Sequence, residues 1–318
     1  MKVVDLLMGA DAPQISYEIV PPKRGSSVSD IFEIVDGLIP FDPPFIDVTS
    51  HSAQVYYEEQ PDGTWRRRIR RKRPGTLGLC AAIKGRYGVE TVPHLLCEGF
   101  TREESEDALI ELNYLGIHNV MALRGDEGRY RKPVTGSRTR NEYAVDLVRQ
   151  ISDMNKGFYQ EEMAGAVRTD FCIGVAGYPE KHFEAPNMAW DVQNLKKKIN
   201  AGADYVVSQM FFDNRVFLDY LQVCQQAGID VPIVPGLKIL TRKRQLQSLP
   251  STFHLSVPEE LAAEVMEADD RHVPEIGIRW ALKQCEELLA ANVPYLHFYI
   301  IQTPEYVQPL IERLRKMA

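Results

Sequence analysis

The chain has 318 residues, 44% of them hydrophobic, and a net charge of −7. That length can bury a core without disulfide or metal support, and the acidic balance argues against a general nucleic-acid binder, which carries a basic footprint. Met1 to Met8 is too weak for a secretory signal, and no apolar run reaches membrane-spanning length.

Taken in order, short β-branched runs alternate with longer amphipathic stretches, the pattern of parallel strands joined by crossover helices. The runs are Ile15–Ile19, Phe45–Thr49, Thr91–Leu96, Asn119–Leu123, Phe171–Ala176, Tyr205–Met210, Ile233–Pro235 and Tyr295–Tyr299. Eight strands close a TIM barrel, so the expectation is an α/β fold, a (β/α)8 TIM barrel in a single domain over residues 1–318. Between them, Val28, Ile31, Phe32, Val35, Leu38 and Ile39 share one helical face. Thr101 and Glu104 form a capping box ahead of Leu109, Leu112 and Leu115, and Asp213 caps the helix bearing Phe217 and Tyr220. Three connections exceed minimal turns: Ser50–Gly75, Glu127–Asn141 and Lys156–Thr169.

Within the first of these, seven of the eight residues from Arg66 to Arg73 are basic, which leaves −14 on the rest of the chain. Such a run is either a solvated loop or a site for the anionic tail of a ligand or an acidic partner. The five cysteines, Cys80, Cys97, Cys172, Cys224 and Cys285, are odd in number and widely spaced among apolar residues. They read as buried reduced thiols; the weak N-terminus and the lack of a membrane-spanning run give the expectation of a cytoplasmic protein.

In a barrel the strand ends carry the chemistry. Here Glu18, Thr49, His94, Asp126, Tyr178 and Gln209 each end an apolar run and are expected to converge on one mouth. A carboxyl among apolar neighbours, as at Glu18, has a raised pKa and can serve as a general acid near neutrality; the alternative is a glutamate paired with a basic neighbour. Asp126 either faces a cationic intermediate or pairs with Arg124. A Gly-x-Gly-x-x-Gly fingerprint, a P-loop, a His-Glu-x-x-His metal motif and a nucleophile elbow are all missing from the sequence, so no metal is expected.

Read together, the strand ends resemble methylenetetrahydrofolate reductases over nearly the whole chain. The motifs include Ser16-Tyr17-Glu18-Ile19-Val20-Pro21-Pro22, Asp47-Val48-Thr49, Pro93-His94-Leu95-Leu96-Cys97, Ala122-Leu123-Arg124-Gly125-Asp126, Gly177-Tyr178-Pro179-Glu180-Lys181-His182, Ser208-Gln209-Met210-Phe211-Phe212-Asp213 and His297-Phe298-Tyr299. The resemblance implies FAD at the barrel mouth, NADH or NADPH as hydride donor, and reduction of 5,10-methylenetetrahydrofolate to 5-methyltetrahydrofolate in one-carbon metabolism and methionine supply. By it, Glu18 protonates a folate nitrogen as the five-membered ring opens, and Asp126 stabilises the resulting 5-iminium cation. FAD contacts carry over to Thr49, His94, Arg124, Gly125, Asp126, Tyr143, Ala144, Tyr178, His182, Ala185, Asp191, Asn194, Lys197 and Lys198, and the folate contact to Gln209. Relatives commonly form homo-oligomers. The chain ends soon after the last barrel helix, which implies no C-terminal regulatory domain and no response to S-adenosylmethionine.

Two positions depart from the family pattern. Ser50-His51 follow Thr49 where many relatives have tyrosine, and Ile300-Ile301-Gln302-Thr303 stand where many have an arginine that helps hold folate. The Arg66–Arg73 run is a candidate for the polyglutamate tail instead. Two other readings remain at this point: a different FAD barrel oxidoreductase resembling proline dehydrogenase, and a non-catalytic barrel that binds an acidic partner through the basic run.

Overall fold

The computed structural model describes residues 1–9, 12–51, 53–70, 73, 75–125, 132–134, 136–300 and 304–316. Its strands are β1 (Gln14–Ile19), β2 (Phe45–Val48), β3 (Gln54–Glu59), β4 (Trp65–Arg70), β5 (Glu90–Leu96), β6 (Asn119–Leu123), β7 (Cys172–Gly177), β8 (Tyr205–Ser208), β9 (Ile233–Val234), β10 (Gly236–Leu237) and β11 (Tyr295–Ile300). Helices α1 (Val3–Met8), α2 (Ser29–Asp36), α3 (Thr76–Tyr87), α4 (Arg102–Tyr114), α5 (Ala144–Asn155), α6 (Met188–Asn200), α7 (Asn214–Gln226), α8 (Gln245–Phe253), α9 (Glu259–Glu267), α10 (Val273–Ala290) and α11 (Gln308–Arg315) alternate with them.

One parallel sheet runs β10-β11-β1-β2-β5-β6-β7-β8-β9. β9 and β10 are two halves of a single stave. Pro235 between them has no N–H to give to the ladder, so β9 pairs with β8 and β10 with β11, and the sheet closes through the proline. The architecture is the expected (β/α)8 barrel, with the seventh strand interrupted where an unbroken one was anticipated.

Alternation along each strand sorts the core into two layers. Phe45, Val92, Met121, Cys172, Tyr205, Val207 and Val234 fill the barrel, and Val3 and Leu7 of α1 plug its floor. Tyr17, Ile19, Ile46, Val48, Leu95, Val120, Val175 and Val206 face outward and pack under the helices. The Thr101–Glu104 capping box forms as expected, and the Asp213 side chain accepts from Arg215 N. Val28 differs: it precedes α2 and is exposed, while Ile31 and Val35 carry the buried face. All five cysteines are free and buried.

The connection 50–75 is not a plain loop. β3 and β4 form a two-stranded antiparallel hairpin with Tyr57 opposite Arg67 and Glu59 opposite Trp65. Its turn is set by Asp62, whose carboxylate accepts from Thr64 N, and by Gly63 at φ +79°. No described side chain from Val55 to Arg70 is buried, so Arg66, Arg67, Arg68 and Arg70 of the basic run lie on a solvent-exposed arm, while Arg73 is partly buried and donates to Pro21 O.

Candidate active site

Strand alternation that sends Tyr17 and Ile19 to the helices sends Ser16 and Glu18 into the barrel, and the same parity brings Asp47, His94, His297 and Tyr299 to the axis. His94 Nε2 lies 3.5 Å from Glu18 Oε2 and 3.4 Å from Asp47 Oδ1. The angles do not make aligned hydrogen bonds, and both Asp47 oxygens and His94 Nε2 are buried without one. Burial raises the Glu18 carboxyl to about 7; the neighbouring His94 and Lys238 oppose that rise and Asp47 adds to it. Burial likewise lifts Asp47 well above the ordinary carboxyl value and lowers His94. One layer deeper, Ser16 Oγ bonds His297 Nδ1 at 2.8 Å, and burial drops His297 to about 3.

The opposite wall is built by close backbone approach. A Cβ at Gly236 would stand 2.2 Å from Ser208 O, so only glycine lets β10 come this near. Gly236 N donates to Ser208 Oγ at 2.9 Å and Tyr299 Oη to Ser208 O at 2.6 Å. Gln209 follows directly; its Oε1 accepts from Met210 N, which fixes the amide and leaves its NH2 to donate.

A second group of expected residues gathers beyond β6, β7 and along α6. Asp191 accepts from His182 N at 2.9 Å, and the ring of His182 meets that of Tyr178 edge-on at 4.6 Å. Lys198 donates to Ala176 O at 2.6 Å, and burial brings its ammonium down to about 8. Lys197 bonds Asn194 Oδ1, and Ala185 is buried with its N–H on His182 O. Arg124 pairs with Glu184 at 2.7 Å. Gly125 sits at φ +108°, where a side chain would also crowd Glu98. Tyr143 is exposed as the N-cap of α5, which Ala144 opens. Thr49 directly follows β2 with its N–H on Ile19 O.

Asp126 lies outside the described residues, as do Arg71 and Lys72 of the basic run and Ile301 to Thr303. Asp47, Lys238, Ser208 and His297 join the site without having been singled out as functional. Their signal was a lone polar residue inside each apolar run, as in Phe45-Ile46-Asp47-Val48 and Gly236-Leu237-Lys238-Ile239-Leu240.

A closed parallel barrel whose strand ends collect carboxyl, imidazole and ammonium groups is a (β/α)8-barrel protein with its site in the C-terminal mouth. Residues 3–315 match the family model for methylenetetrahydrofolate reductase. The chain belongs to that family. It is 29% identical to methylenetetrahydrofolate reductase 1 of Schizosaccharomyces pombe over 99% of its own length and 48% of the relative's. It is 28% identical to 5,10-methylenetetrahydrofolate reductase of Escherichia coli over 92% of this chain and 87% of that one. The chain thus spans about half the length of the eukaryotic relatives and most of the bacterial one. Among solved structures, an uncharacterized protein from Clostridium thermocellum that binds two copies of 5-methyl-5,6,7,8-tetrahydrofolic acid shares the fold, with a TM-score of 0.59, 14% identity and 98% of each chain covered.

Proposed function

We propose that this protein reduces 5,10-methylenetetrahydrofolate to 5-methyltetrahydrofolate with NADH or NADPH as donor and FAD as the carrier. The observation that carries the reading is Glu18, a carboxyl held near half-protonation at neutral pH in the mouth of a barrel of this family.

The residues present fit a flavin dinucleotide. Lys198 is a buried cation whose charged form an anionic diphosphate would stabilise, and Arg124 and Lys197 stand in the same group. Gly125 permits close approach, and His94 Nε2 is a buried polar atom still without an aligned partner. Thr49, His94 and Tyr178 would hold the ring system, and His182, Ala185, Asp191, Asn194, Lys197 and Lys198 the rest, with Tyr143 and Ala144 at its edge. When bound, the flavin supplies two-electron hydride chemistry that no side chain offers.

Glu18 gives its proton to the folate nitrogen that leaves as the ring opens. A carboxyl near 7 both donates and recovers a proton at physiological pH, where an ordinary glutamate would already be ionised. His94 and Asp47 stand beside it and act in opposite senses, the first opposing the rise of the Glu18 carboxyl and the second adding to it. Gln209 presents its amide to the pterin, and the family resemblance gives Asp126 the role of stabilising the cation. The five buried free thiols support a reducing, cytoplasmic setting.

Anaerobic spectroscopy tests this. Bound oxidised flavin should bleach on adding NADH or NADPH and recover on adding methylenetetrahydrofolate. Glu18→Gln should keep the first step and lose the second by at least about a hundredfold. Flavin that bleaches but is not reoxidised by the folate would move the substrate to another class, the proline-type oxidation first.

A further inference from the structure

Lys238 is a charged residue in a place where charge is costly. It follows β10, is 7% exposed, and donates to Tyr299 O at 2.7 Å. The register puts it beside the reacting carboxyl: β10 pairs with β11 through Leu237 and Phe298, and Tyr299, the next residue of β11, pairs with Glu18 of β1. Three adjacent staves therefore bring Lys238, Tyr299 and Glu18 to one height. Glu18 is the carboxyl that acts on the lysine, and it favours the ammonium against the burial that opposes it. Lys238 also lines a cavity of about 500 Å³ together with Arg242, Arg244, Gln245 and Tyr299.

The geometry points to Lys238 as a positioning residue that stabilises the carboxylate left on Glu18 after it has given up its proton. This rests on Glu18 acting as the acid. The Glu18 O–H bond breaks, an N–H bond forms on the leaving folate nitrogen, and the C–N electron pair stays with that nitrogen. A carboxylate then remains in a water-poor barrel. Of the groups facing it, Asp47 on β2 is a second carboxyl, burial pushes His94 on β5 toward its neutral form, and the Tyr299 hydroxyl is committed to Ser208 O. Lys238 is the cation among these described neighbours at neutral pH, its ammonium brought down to about 8 by burial and supported by Glu18. Its tie to a backbone carbonyl holds the ammonium in place without neutralising it, so the stabilisation needs no reorganisation when the charge appears.

Two readouts separate this role from a structural one. In the flavin-free protein, infrared difference titration follows the protonated Glu18 carboxyl, identified by its loss in Glu18→Gln. Lys238→Met should move the midpoint upward by about one pH unit, while Lys238→Arg keeps it. In the holoenzyme, the alkaline limb of flavin reoxidation by methylenetetrahydrofolate should move upward equally in Lys238→Met, and the nicotinamide half-reaction should keep its pH profile. Removing one partner of a buried charged pair can destabilise a fold, so both readouts are taken on variants shown to be folded by their thermal unfolding, and Lys238→Gln serves as a second neutral variant that keeps a hydrogen-bond donor for Tyr299 O. A midpoint and limb unchanged in both neutral variants would overturn the proposal. If instead Glu18→Gln retained folate reduction, the acid assignment would fall, while the infrared midpoint would still report whether the lysine and the carboxyl are coupled.

Discussion

Because Glu18 is buried beside a second carboxyl, folding raises its proton affinity from about 4.5 to about 7. A raised carboxyl contributes stability that is complete below the unfolded pKa and is lost as pH climbs through the folded one. Glu18 therefore costs the folded protein stability above about pH 7, on the order of 3 kcal/mol. Glu18→Gln should be as stable as the parent at about pH 4 and clearly more stable at about pH 8, measured by urea denaturation at both; a variant no more stable at high pH would mean that the carboxyl is not desolvated. This much was legible in a glutamate standing inside an apolar run. Its surroundings were not, since Asp47, His94 and Lys238 come from strands far apart in sequence, and only barrel closure determines that they share a height.

At the scale of elements, local chemistry was read well where it is local. The Thr101–Glu104 box closes with both reciprocal hydrogen bonds, and Lys132 holds the same glutamate from outside. Thr101→Ala should cost about 1 kcal/mol in denaturant unfolding without changing cofactor binding. Two elements escaped. Ile233–Pro235 looked like one short strand, but a proline cannot donate to a ladder, and the stave divides there. The β3–β4 hairpin was hidden by its charge: arginines between Trp65 and Arg70 read as solvated loop, although Pro61-Asp62-Gly63 between Tyr-rich and Ile-containing runs is a turn signal. Since the arm buries none of its side chains from Val55 to Arg70, replacing 54–70 by a short glycine linker should leave the thermal midpoint within a few degrees. A large loss would place the arm in the barrel's own stability.

Across the whole molecule, the barrel and its helical jacket are joined at points where no side chain fits. Gly277 in α10 is the tightest: an added Cβ would lie 1.9 Å from Leu240 O, on the segment that follows β10 and Lys238. Gly277→Ala should cost about 3 kcal/mol or more, because backbone and not a side-chain tip must give way. The five thiols, meanwhile, are distributed around this closed structure, in α3, just after β5, in β7, in α7 and in α10. Burial raises every one, Cys97 and Cys172 to about 12 and Cys224 to about 11, so the folded chain presents no reactive thiolate at neutral pH. Each cysteine is therefore a silent clock for its own sector. Alkylation can begin only when that part of the barrel opens, and the order in which the five positions gain mass would trace the sequence in which the ring comes apart.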